Sequence, residues 1–194
     1  MSTSPTEREN IVTPQFTMCF PCLYEPRAAV EGAEPKYSCT GVFPKGTDLS
    51  VLKNQVKKLI VEKFPDGTVP SNLRLPFLDG NQALKDHPSW GEIYKDAIYI
   101  RFTTTRQPKV IDRHREDIND SDKVWGGQIA RAVVNVYYYS KAGNRGVGFG
   151  LKAVQVVADG ERLGVNPEAY RNMFDQLEEP ADADANDPFK GLDL

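Results

Sequence analysis

Residues 131–164 read RAVVNVYYYSKAGNRGVGFGLKAVQVVADGERLG, and this stretch decides the fold. Two runs rich in Val, Tyr and Phe flank residues 140–146, where Lys141, Gly143, Asn144, Arg145 and Gly146 combine turn chemistry with positive charge. That is the pattern of a long β-hairpin with a basic, glycine-rich tip. Period two assigns the faces of the first strand: Ala132, Val134, Val136 and Tyr138 on an apolar side, Arg131, Val133, Asn135, Tyr137 and Tyr139 on the other. On the second strand Phe149 and Leu151 alternate with Gly148, Gly150 and Lys152. Glycines at alternate positions leave the backbone open to close approach. A face of cations, tyrosines and bare backbone suits a flat, charged, aromatic ligand, and nucleic acid fits that description. Cross-strand packing is the ordinary use of sheet tyrosines, so both uses stay open for each ring.

Outward from the hairpin, the KYSCTGVF run of Lys36–Phe43 alternates as a strand and ends at Pro44. Residues 96–103, DAIYIRFT, form another, with Ile98, Ile100 and Phe102 inward and Tyr99, Arg101 and Thr103 outward. Residues 11–23 read as a strand limited by Pro14 and Pro21 to an edge, bulge or bend. Asp48 is placed to cap a helix reaching Phe64, with Leu52, Val56, Leu59 and Ile60 at helical spacing and Lys53, Lys57 and Lys58 off the stripe. Residues 65–90 are turn-rich and predict a long loop. Arg106, Lys109, Arg113 and Arg115 make the densest basic segment, and residues 110–122 read as a loop. Trp125 is either a core plug or a base-stacking platform. Asn166 can cap a short helix over residues 167–177.

A chain of 194 residues with 40% hydrophobic content needs no staple to build one core. Three cysteines, an odd count, fit a reducing compartment, and no apolar run has the length of a signal core or membrane span, so a cytoplasmic protein is expected. The net charge of −3 is unevenly spread: residues 175–194 carry −6 and the rest +3. The expected organisation is a disordered amino terminus over residues 1–12, one domain over 13–176, and an acidic flexible tail over 177–194.

Several chemistries fail on their own requirements. Cys19 and Cys22 have metal-ligand spacing, but only Cys39, His87 and His114 remain to complete a zinc site. Asp117, Asn119, Ser121 and Asp122 resemble a calcium loop, yet Asp122 stands where glycine is needed and Gln128 where glutamate is. The glycines 143–150 precede a strand pattern and not the helix whose amino terminus would hold a phosphate. Neither histidine accompanies a nucleophile motif. No enzyme, metal or cofactor is expected.

The succession KYSCTGVFPKG, DAIYIRF with its basic follow-on, and NVYYYSKAGNRGVGFGLKAVQVVADGERLG resembles a family of phage single-stranded-DNA-binding proteins, over roughly residues 16–174. The block NRGVGFGLKAVQVVADGERL carries most of the likeness. The resemblance implies a mainly β fold, an OB-fold five-stranded Greek-key barrel with one or two helices. It also implies a role in phage DNA replication, recombination or repair without catalysis. The usual OB helix lies between the third and fourth strands, whereas the strongest helix here follows the second. Either a strand is hidden within residues 11–43 or the helix is an insertion.

Sequence-tolerant binding of a single strand needs cations for phosphates and aromatic faces for bases. Tyr99, Tyr137 and Tyr139 are the candidate platforms; Arg101, Arg106, Lys109, Arg131, Lys141, Arg145 and Lys152 are the candidate phosphate contacts. In the tail, Asp187, Phe189, Leu192 and Leu194 are candidates for docking a replication partner such as a polymerase or helicase, or for folding back over the basic groove. The chain is expected to be a monomer or weak homo-oligomer. The rival reading is a β-rich interaction or virion assembly module that touches protein only.

Overall fold

The structure, a computed structural model, describes residues 9–141 and 143–164. Eight strands are found among them: β1 (Ile11–Val12), β2 (Phe16–Arg27), β3 (Lys36–Phe43), β4 (Leu78–Asp79), β5 (Ile98–Thr104), β6 (Lys109–Ile111), β7 (Ile129–Lys141) and β8 (Asn144–Ala158). Helix α1 (Ser50–Lys63) precedes β4, and α2 (Gly80–Asp86) follows it. The five long strands pair in the order β7, β2, β3, β5, β8, and β8 pairs back onto β7, so the sheet closes. Every contact around that ring is antiparallel except β5 with β8, which is parallel. This is the Greek-key barrel of the OB-fold. The strand count exceeds five because β1, β4 and β6 are short additions on β7, β5 and β8.

The hairpin supplies the two longest strands, and its inner positions obey the period: Ala132, Val134 and Val136 of β7 and Val147, Phe149 and Leu151 of β8 are buried. They meet Phe16, Met18, Phe43, Ile100 and Phe102 in one core. Full burial of each such aromatic or aliphatic side chain contributes about 1.5–3 kcal/mol, which is what holds a barrel of this size closed. A bulge between Val133 and Val134 in the β7–β8 register leaves Lys152 without a partner on β7 and resets the alternation, so that Leu151 and Val154 both point inward.

Helix α1 lies between the second and third barrel strands and is therefore an insertion in the usual OB order. It buries Leu52, Val56 and Leu59 and leaves Lys53, Lys57 and Lys58 in solvent. The Ser50 amide donates to Asp48 Oδ1 at 2.9 Å, although the cap position itself is Leu49.

Three expectations need correction. Residues 65–90 are not a bare loop: they contain β4, α2 and a 3-10 turn at Pro88–Trp90, and Asp79 caps α2 by accepting from the Asn81 and Gln82 amides. The stretch 110–122 begins inside β6, because Val110 has a buried slot beside β8. The strand expected over 11–23 is two strands, and β1 pairs Ile11 with Val134 inside the stretch 1–12 assigned to a disordered terminus. The helix expected over 167–177 and the tail candidates lie outside the described residues.

Candidate nucleic-acid interface

The outward face of β3, β5, β8 and β7 gathers the polar half of each alternating strand. In register across it stand Ser38 opposite Thr103 and Thr40 opposite Arg101, then Thr103 beside Gly150. Gly150, Gly148 and Gly146 of β8 in turn oppose Asn135, Tyr137 and Tyr139 of β7. The glycines determine what the tyrosines do. A Cβ on Gly148 would sit 2.8 Å from Cζ and Oη of Tyr137, and one on Gly146 would sit 2.6 Å from Oη of Tyr139. Both rings therefore lean across the bare β8 backbone instead of standing off the sheet. Tyr137 reaches far enough to bring its hydroxyl within 3.5 Å of Thr103 Oγ1 on β5. The two ring centroids are 6.3 Å apart with planes inclined at 49°. Half-buried and held from below, they offer faces upward, as base stacking requires.

Two cations flank this pair: Arg101 is exposed on β5, level with Gly148, and Lys141 stands at the hairpin tip. Arg106 follows the end of β5, where the parallel β5–β8 register carries it away from the rings toward Lys109. Arg145, opposite Ser140, lies by alternation on the side of Val147 and Phe149 and not on that of the two tyrosines; it is half-buried, and its Nε is enclosed with no acceptor among the described residues. The loop before β4 runs alongside: the Arg74 amide donates to the Arg145 carbonyl at 3.1 Å, and Val147 N–H donates back to Arg74 at 2.9 Å. That contact brings Arg74, exposed, to the same end of the face; sequence gave no sign of it, because the loop is more than seventy residues away in the chain.

Other candidates fall elsewhere. The Tyr99 ring is not an open platform: residues 88–97 fold over it, and it packs edge-on against Trp90 at 6.0 Å and Tyr94 at 5.4 Å. Arg131 lies six residues before Tyr137 on β7, about 20 Å away at the usual strand rise, and its Nε donates to Gln155 at 2.7 Å. Lys109 is nearby on β6, paired with Asp117 at 2.9 Å. Lys152 is exposed at the bulge, between the two groups. Trp125 is half-buried, with the Arg162 guanidinium 4.7 Å above its ring.

The cysteines divide by environment. Burial pushes the thiol of Cys19 up to about 11 and that of Cys39 up to about 12, so both stay protonated at neutral pH. Cys22 is half-buried on the outer face. Among the described residues no three His, Cys, Asp or Glu side chains assemble as a metal site. No helix among them is long and apolar enough to cross a membrane.

A family described as "Enterobacter phage Enc34, ssDNA-binding protein" matches residues 9–185. No curated protein matches the chain. Among solved structures, the single-stranded DNA-binding protein from bacteriophage Enc34 in complex with ssDNA is similar at 21% identity and a TM-score of 0.66, covering 80% of this chain and 89% of that one. A second structure of the single-stranded DNA-binding protein from bacteriophage Enc34 superimposes with a TM-score of 0.62 at 22% identity over 83% of this chain and 89% of that one. A single-stranded DNA binding protein of bacteriophage T7, gp2.5, matches at 13% identity and a TM-score of 0.58, over 90% of this chain and 100% of that one. At these identities the structures speak for the shared barrel, and the family match speaks for kinship: the chain belongs to the family of the ssDNA-binding protein of Enterobacter phage Enc34.

Proposed function

We infer that this protein binds single-stranded DNA without sequence preference and serves phage DNA replication, recombination or repair in the host cytoplasm, without catalysis. The observation that carries the reading is the pair of tyrosines laid over the glycines of β8, with Arg101 and Lys141 on the same face. Each base stacked on an aromatic ring contributes about 1–3 kcal/mol whatever its identity, because every base has a π-face. Arg131 and Lys109 sit too far from the rings to share a short strand with them and act on a longer one or not at all.

The acidic tail, with Asp187, Phe189, Leu192 and Leu194, is proposed to compete for the basic face when DNA is absent and to dock a replication partner when DNA displaces it. Its −6 charge against +3 for the rest of the chain supports this. The decisive experiment titrates a labelled oligothymidine into the full chain while following tyrosine and tryptophan fluorescence across a salt series. Four neutralised phosphates predict a slope of log affinity against log salt of about −3. A flat response, or no quenching, rejects the reading.

A further inference from the structure

Next to the tyrosine platform, across β5 and β3, the outer face opens into a groove of about 310 Å³ that includes Phe20, Trp90, Arg101 and Cys22. Phe20 does not belong to the core. It is 53% exposed, and its φ of +48° is one that residues with side chains rarely adopt. The register shift between Cys19 and Cys22 on β2 creates that geometry and turns the ring outward. Its centroid lies 5.3 Å from Trp90, which is itself stacked on His87 at 4.5 Å and 12°. The floor of the groove is hydroxyl-bearing: Ser38, Thr40 and Thr103 can each donate or accept. Arg27 and Lys36 against Glu34 leave its mouth positive, and Arg101 adds to that.

The groove is continuous with the platform. Tyr137 touches Thr103, and Thr103 pairs with Ser38, which pairs with Cys22. From β8 to β2 the path crosses three strand spacings, about 14 Å.

We propose that this groove holds one unstacked base of the bound strand, stacked against Phe20 with its edge over the hydroxyl floor, at the far end of a path that starts on Tyr139 and Tyr137. The proposal rests on the single-strand binding inferred above. The positive mouth takes the phosphate of the same nucleotide, and a floor of hydroxyls accepts any base edge by rotating, which preserves sequence tolerance. Phe20 is a binding residue in this scheme, and Trp90 positions it.

Cys22 reports on occupancy. It lines the groove, whereas Cys19 and Cys39 are buried. An uncharged thiol reagent such as N-ethylmaleimide at neutral pH therefore modifies Cys22 first in the full, reduced chain. The rate is read by peptide mass spectrometry with and without a saturating oligothymidine of about 16 nucleotides, the upper end of the footprint of one OB-fold. Binding is followed in parallel by fluorescence. The expected result is that Cys22 labelling falls in step with saturation. Phe20→Gly suits the left-handed backbone and should fold; it is expected to weaken binding by about 5-fold or more, while Phe20→Tyr keeps it. Fluorescence quenching with an unchanged Cys22 rate overturns the groove assignment and leaves single-strand binding standing. Protection of Cys22 that survives Phe20→Gly with unaltered affinity overturns the role of Phe20. No binding by either readout overturns both readings together.

Discussion

Gly148→Ala tests the platform without touching a ring. The added methyl carbon would lie 2.8 Å from Cζ and Oη of Tyr137, well inside ordinary contact distance, so the ring must tilt by several tenths of an ångström and give up its approach to Thr103. Gly148 has an ordinary negative-φ strand backbone, so alanine is not strained there. Restricting the unfolded chain then offsets the repacking by about 0.4–1 kcal/mol, and stability should change by less than about 1 kcal/mol. Binding should change more. Tyr137→Ala deletes a stacking surface of about 1–3 kcal/mol, roughly 5- to 150-fold in Kd, and Gly148→Ala forfeits a substantial part of the same energy. The double variant decides the matter. If the glycine acts only by letting the ring lie flat, Gly148→Ala adds nothing once Tyr137 is alanine, and the two losses are non-additive. Fluorescence anisotropy with oligothymidine for the four proteins, beside urea melts, gives the cycle. Fully additive binding losses would refute the reasoning and mean that the strand contacts the β8 backbone directly.

Arg101→Ala should weaken binding and make the salt slope shallower by about 0.7, whereas Arg131→Ala should leave the slope unchanged because Arg131 serves Gln155 at the other end of β7. Truncation after Phe174 should tighten binding at low salt; unchanged affinity would confine the tail to partner docking. The buried thiols predict a pH dependence of stability. Cys19 and Cys39 keep their protons in the folded chain to about 11 and about 12, against 9.0 for a free thiol. Between about pH 9 and 12 the unfolded chain therefore binds fewer protons, and stability falls as pH rises while staying level below that window. Urea midpoints from pH 7 to 10 check this, and a Cys39→Ala protein should show a shallower decline.

Much of the barrel was legible because β7 and β8 declare themselves locally: their period-two pattern and basic turn need no distant partner to be recognised. The same pattern placed Tyr137, Tyr139 and Arg101 correctly on an outward face. Closure of that face over Tyr99 was not legible, since it depends on Trp90 and Tyr94 arriving from a segment whose helix and turns are too short for periodicity to show. Phe20 was hidden for a related reason: in sequence it is one more aromatic in an apolar strand, and only the bulge after Cys19 turns it outward. A phenylalanine immediately before Pro21 was the available hint, because prolines in strands mark bulges. The separation of Arg131 and Lys109 from the platform follows from strand length, which composition does not reveal.

The barrel is sealed where β2 meets β7, through Phe16 with Ala130 and Thr17 with Ile129, reinforced by backbone hydrogen bonds from the Met18 amide to the Gln128 carbonyl and from the Gly127 amide to the Met18 carbonyl. This seam joins chain segments more than a hundred residues apart, while the neighbouring β7–β8 hairpin is local. Loop-closure entropy therefore makes the seam the last contact to form during folding, after the hairpin has zipped. It is also narrow enough to open without disturbing the hairpin. In native-state hydrogen exchange the Met18 and Gly127 amides should lose protection well before those of Val134 and Phe149, and the protein should refold with the slow kinetics of a chain that must find its own distant end.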